Sequence, residues 1–133
     1  MGLVLADLRL VNPARPELAE LDAKALADTG ALHLCIPQHV ALQLGLVRTE
    51  QREVRTADGK SHIVDYVGPI RAEIFGRHCW TGALVLGDQV LLGAIPMADM
   101  DLVVDPARQR IMPNPANPNM PLSTAKTATH IFF

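Results

Sequence analysis

A chain of 133 residues with 49% apolar and only 4% aromatic content makes one domain, its core built from Leu, Val, Ile and Ala. A formal charge of −2 offers no basic face for nucleic acid, and two cysteines, Cys35 and Cys79, are too few for a disulfide framework. The N-terminus lacks a basic segment ahead of a long apolar one, Ala6 breaks the myristoylation pattern, and apolar runs such as 90–97 are too short to span a bilayer. The expectation is a soluble, cytoplasmic protein with neither membrane nor nucleic-acid partners.

In chain order, Leu3 to Leu10 predicts a strand that ends in the N-P-A-R-P-E loop at 12–17. Leu21 to Ala27 alternates in part, with Leu21, Ala23 and Ala25 on one face and Asp22 and Lys24 on the other. Asp28-Thr29-Gly30 follows, and Gly30 permits a tight turn. The acid sits in A-L-A-D-T-G-A-L (25–32), among neighbours expected to be buried on both sides, which a solvated turn does not need. Leu32 to Ile36 predicts a short apolar strand. Pro37 then opens the one clear helix, whose apolar face is Val40, Ala41 and Leu44 and which Gly45 stops.

From Glu53 onward the signals are strand and turn. Glu53 to Thr56 and Ser61 to Val67 flank Ala57-Asp58-Gly59-Lys60, whose Asp-Gly pair is the strongest hairpin cue in the chain. Gly68-Pro69 predicts a break, Ile70 to Ile74 a strand, and Gly76-Arg77 a turn. His78 to Leu86 and Val90 to Leu92 are further strands around Gly87-Asp88, and Pro96 to Met100 makes at most one helical turn. Leu102 to Val104 and Arg110 to Met112 form a last hairpin, with Pro106 placed for a type I turn. The organisation expected is one domain over residues 1–112 and a Pro- and Asn-rich mobile tail over 113–133, apolar again only at Ile131-Phe132-Phe133. Many short strands, one helix and no repeat predict an all-β, closed or nearly closed fold.

Most candidate chemistry has a plainer explanation. His33, Cys35 and His39 form H-x-C-x3-H, but no C-x-x-C or H-E-x-x-H motif accompanies them, so no metal is assigned. Cys35 and Cys79 lack an oriented base, and Trp80 is expected in the core or a dimer contact. Asp99 and Asp101 fit helix-end and turn roles. The scattered glycines hold no phosphate loop or dinucleotide fingerprint, and no cofactor is expected.

Three stretches in order carry a resemblance. Leu26-Ala27-Asp28-Thr29-Gly30-Ala31, the hairpin at Ala57-Asp58-Gly59-Lys60, and Leu91-Leu92-Gly93-Ala94 resemble the pattern of single-domain retropepsin-like aspartic proteases. The ending Pro96-Met97-Ala98-Asp99-Met100-Asp101-Leu102-Val103-Val104-Asp105-Pro106 is most similar to the bacterial members, and the likeness spans about residues 3 to 112. It implies an acid-protease barrel, a homodimer, and an endopeptidase acting on polypeptide. Asp28 of each subunit would be catalytic, with Thr29, Gly30 and Ala31 in support. The hairpin 57–60 would be the tip of a flap, and Leu26, Leu32, Leu92, Gly93, Ala94 and Ile95 would form the substrate pocket. The tip departs from viral members in being charged, with one glycine, which leaves a non-catalytic dimeric peptide-binding module as the alternative.

Overall fold

The computed structural model describes residues 3–125, so the expected apolar end at 131–133 lies outside the described residues. Among the described residues, nine strands and two short helices follow one another: β1 (Leu5–Val11), β2 (Leu21–Ala27), β3 (Cys35–Ile36), α1 (Gln38–Gln43), β4 (Val47–Arg55), β5 (Ser61–Ile74), β6 (Arg77–Val85), β7 (Val90–Leu92), α2 (Ala94–Asp99), β8 (Leu102–Asp105) and β9 (Arg110–Pro113). The main sheet runs β1-β2-β7-β3-β6-β5-β4, and a further β1–β5 pairing closes six of its strands into a barrel. Strand β4 stays outside the closure as an edge, and β8 with β9 forms a separate two-stranded sheet.

The alternation read from the sequence sets the inside of the barrel. In β1, Ala6, Leu8 and Leu10 point inward while Leu5, Asp7 and Arg9 face water. Leu8, Leu10, Leu34, Ile36, Leu44, Ile70, Leu92 and Met100 are the fully sequestered large aliphatics, and each contributes roughly 1.5–3 kcal/mol. With few rings available, branched aliphatics fill the interior.

Several details of these elements depart from expectation. Gly68-Pro69 does not end a strand: β5 runs through it, with a cis peptide and a register shift against β6 between Val67 and Ile70. The irregularity takes the proline, which has no N–H, out of the regular ladder. The next turn is centred on Phe75-Gly76, both at positive φ, so Arg77 opens β6 and is buried. A second helix, α2, begins at Ala94 rather than as one turn from Pro96. Trp80 is 61% exposed on the outward side of β6 against Arg71, which excludes the core and not the dimer contact from its two expected places.

Candidate active site

Asp28 stands one residue beyond the end of β2, where two neighbouring strands fix its backbone. β2 runs parallel to β7, with Ala25, Leu26 and Ala27 opposite Val90, Leu91 and Leu92. The Asp28 N–H continues that ladder by donating to the Leu92 carbonyl at 3.0 Å, and the Ala27 N–H donates to the Val4 carbonyl at 2.8 Å. The chain then turns sharply: the Ala31 N–H donates to the Asp28 carbonyl at 3.1 Å, and the Gly30 N–H donates to Asp28 Oδ1 at 2.9 Å. A Cβ at Gly30 would lie 3.1 Å from that oxygen, so glycine lets the carboxylate fold back over the turn.

The support beneath this turn comes from Leu92-Gly93 and the first turn of α2. The Ala94 N–H donates to the Ala31 carbonyl at 2.8 Å and the Ile95 N–H to the Leu32 carbonyl at 2.9 Å. Any side chain on Gly93 would strike the backbone of Leu32 and His33. The two motifs, more than sixty positions apart in sequence, therefore meet backbone to backbone. The structure brings Asp28, Thr29, Gly30, Ala31 and Leu32 together with Leu92, Gly93, Ala94 and Ile95.

The expected burial on both sides of Asp28 holds only in part. Leu26, Ala27 and Ala31 are half-buried, Thr29 is exposed, and Leu32 and Ile95 are 63% and 49% exposed. Leu92, expected in a pocket, is fully buried in the core, so it carries the floor rather than presenting a side chain there. A depression of about 410 Å³ opens at Asp28, lined by Leu26, Ala27 and Thr29 together with Leu3, Val4 and three residues of the β8–β9 region, Val104, Pro106 and Gln109. No local pattern marks those three, since their approach depends on how the small sheet packs. A larger depression of about 650 Å³ lies between β1, β2 and the β5–β6 turn. Its charges are already partnered: Arg9 with Asp22 at 3.0 Å, Lys24 with Asp7, Glu73 with Arg71 at 3.3 Å, and Arg77 with backbone carbonyls.

The 57–60 hairpin tip is held from within. Asp58 Oδ1 accepts from the Thr56 hydroxyl at 2.6 Å and the Lys60 N–H at 3.0 Å, and these bonds hold the carboxyl below its usual range. Gly59 sits at φ 83, and Ala57 and Lys60 are exposed. Asp58 is therefore committed to the turn. His33 faces Arg52 and Tyr66 rather than Cys35, whose thiol points to the His33 carbonyl at 3.8 Å. Burial, and then the nearby Asp28 charge, push the Cys35 thiol up; burial pushes Cys79 to about 11. Neither favours a thiolate. Among the described residues, no three His, Cys, Asp or Glu side chains are grouped to hold a metal. No helix there is long and apolar enough to cross a membrane.

A half-buried aspartate on an Asp-Thr-Gly turn, braced from below by a Leu-Leu-Gly strand and set beside a closed barrel, is the candidate site. The aspartyl protease family model matches residues 15–113, most of the chain, and the chain belongs to that family. No curated protein matches it significantly. Among solved structures, the retroviral protease-like domain of Ddi1 from Leishmania major superposes with a TM-score of 0.55 at 13% identity, over 92% of this chain and 97% of that one. The EIAV protease, solved with the inhibitor HBY-793, superposes with a TM-score of 0.50 at 18% identity, over 69% and 82%. The fold is retropepsin-like.

Proposed function

We propose that the protein is an aspartic endopeptidase that works as a homodimer, with Asp28 of each subunit forming the catalytic pair. The observation that carries this reading is the single Asp-Thr-Gly turn, whose backbone is fixed on both sides while its carboxylate stays open to the depression. One chain offers one such carboxylate, and hydrolysis of an amide by activated water uses two. A two-fold axis beside Asp28 supplies the second. Two carboxylates that close share one proton, because ionising both is costly. The ionised member takes a proton from water as it attacks the scissile carbonyl, and the protonated member donates to the carbonyl oxygen. The pair then titrates as a unit.

In this reading Thr29, exposed beside Asp28, meets its counterpart across the axis. Ala31 and Gly93 keep the backbone close, and Leu26, Leu32, Ala94 and Ile95 border an extended substrate. The β4–β5 hairpin closes over that substrate and excludes water. Half-buried and exposed aliphatics at this border favour apolar substrate residues.

The test is cleavage of an unfolded polypeptide by the native chain and by Asp28→Asn, with the mass in solution followed in parallel. The expected result is pepstatin-sensitive cleavage by a dimer, reduced by about a hundredfold or more in the variant while the dimer persists. Equal cleavage by both proteins would sink the mechanism. A dimer that binds extended peptide without cutting it would establish the non-catalytic module instead.

A further inference from the structure

Among the described residues, one side-chain hydrogen bond joins the β4–β5 hairpin to the segment that carries Asp28. Arg52 Nη1, on β4, lies 3.3 Å from Nε2 of His33, five positions after Asp28. Arg52 is itself oriented twice more: Nη2 lies 3.3 Å from Glu50 Oε1, and the guanidinium carbon stacks 4.4 Å above the Tyr66 ring. Tyr66 is fixed in turn. Its hydroxyl accepts from the Gly82 N–H at 3.2 Å, and its ring occupies the space where a Cβ at Gly82 would be. His33 meets the same ring edge-on, with centroids 6.0 Å apart. Four segments thus converge at the base of the hairpin: the Asp28 loop, β4, β5 and β6.

The donor inventory decides the protonation state. A guanidinium only donates, so Nε2 must accept, and the imidazole is neutral with its proton on Nδ1. A protonated His33 would set a second donor and a second positive charge against Arg52 at the same distance. We propose that His33 is a positioning residue for the hairpin: neutral, it holds Arg52 and seats the hairpin beside the Asp28 segment; protonated, it lets go. This rests on the hairpin acting as the flap.

The groups facing the ring are Arg52 and, behind it, Glu50 from β4, the Tyr66 phenol from β5, and in its own segment Cys35, which bonds to its carbonyl. Burial first, and Arg52 second, hold His33 below the usual histidine value. The grip is therefore whole at neutral pH and is lost as pH falls through that lowered value. An acid limb on catalysis then has a source separate from the carboxylate pair.

The experiment is deuterium exchange of the amides of residues 47–67 in the Asp28→Asn background, from about pH 7.5 to about pH 5, with β2 amides as the internal reference. After correction for intrinsic rates, the hairpin is expected to exchange about five- to tenfold faster on the acid side, the scale of repulsion between two partly solvated charges at contact. His33→Gln keeps an acceptor that does not titrate, so its profile is expected to be flat. In Arg52→Gln the His33 ring, followed by NMR, is expected to titrate at higher pH. A profile in His33→Gln that matches the parent, or an unmoved His33 titration in Arg52→Gln, overturns the proposal. Asp28→Asn does not depend on turnover, so failure of the peptidase reading and failure of the His33 grip are seen separately.

Discussion

Gly93 serves a carboxylate that it never touches. The absent side chain lets β7 and the start of α2 lie against the backbone of Leu32 and His33, so that Ala94 and Ile95 can donate to the Asp28 loop. Gly93→Ala would place a Cβ 2.7 Å from the Leu32 carbonyl carbon, a backbone atom that cannot swing aside. The expected cost is about 3 kcal/mol in urea unfolding, with the Ala94 and Ile95 amides losing exchange protection ahead of the barrel. A native-like denaturation midpoint would show that the loop yields instead. Asp28, Gly30 and Gly93 were legible in the sequence because each obeys a local rule, an acid before a turn glycine or a glycine after an apolar strand. The bond from the Asp28 N–H to the Leu92 carbonyl was not, since parallel pairing across sixty-odd positions leaves no periodic trace.

Among the elements, the β4–β5 hairpin was the least legible, for a physical reason. V-R-T-E-Q-R-E-V-R holds two apolar residues in nine because β4 is solvated on most of its length, so hydrophobic alternation could not announce the strand before Glu53. Its charges suit an exposed edge, where Arg and Glu discourage pairing with other chains. The Asp58-Gly59 turn was visible because turn chemistry is local, whereas the β5–β6 turn was displaced by one residue. There Phe75 takes φ 57, a conformation that an L side chain resists, in a two-residue turn that suits Asn-Gly. Phe75 is half exposed, so Phe75→Asn gives up little packing. It is expected to raise stability by about 1 kcal/mol in denaturant titration. A loss of that size would mean that the ring's contacts outweigh the backbone strain.

On the scale of the whole molecule, the chain beyond β9 is tied back to the body through Asp101 and Arg77. The Asp101 carboxylate accepts from Asn114 Nδ2 at 3.1 Å, Asn117 Nδ2 at 2.7 Å and the Leu122 N–H at 3.0 Å. The Arg77 guanidinium, almost wholly buried, donates to the carbonyls of Met100 and Asp101, each at 3.0 Å, and to that of Asn117. Composition cannot reveal such ties, because a Pro- and Asn-rich run has no core face to read. Ending the chain after Pro113 removes the Asn117 carbonyl from a buried charge, a loss of about 2 kcal/mol. The Asp101 part of the tie depends on pH, and its sign follows from the direction of the shift. The Leu122 N–H first, and then Asn114, hold this carboxyl below the usual aspartate value. A depressed carboxylate stabilises the fold above that usual value and loses its contribution as pH falls through the lowered one. The stability gap between the full chain and the shortened one is therefore expected to be widest near neutrality and to narrow below about pH 4. Paired denaturant titrations across the acid range measure that gap directly. A gap that does not change with pH would assign the whole tie to Arg77 and leave the Asp101 bonds without net effect.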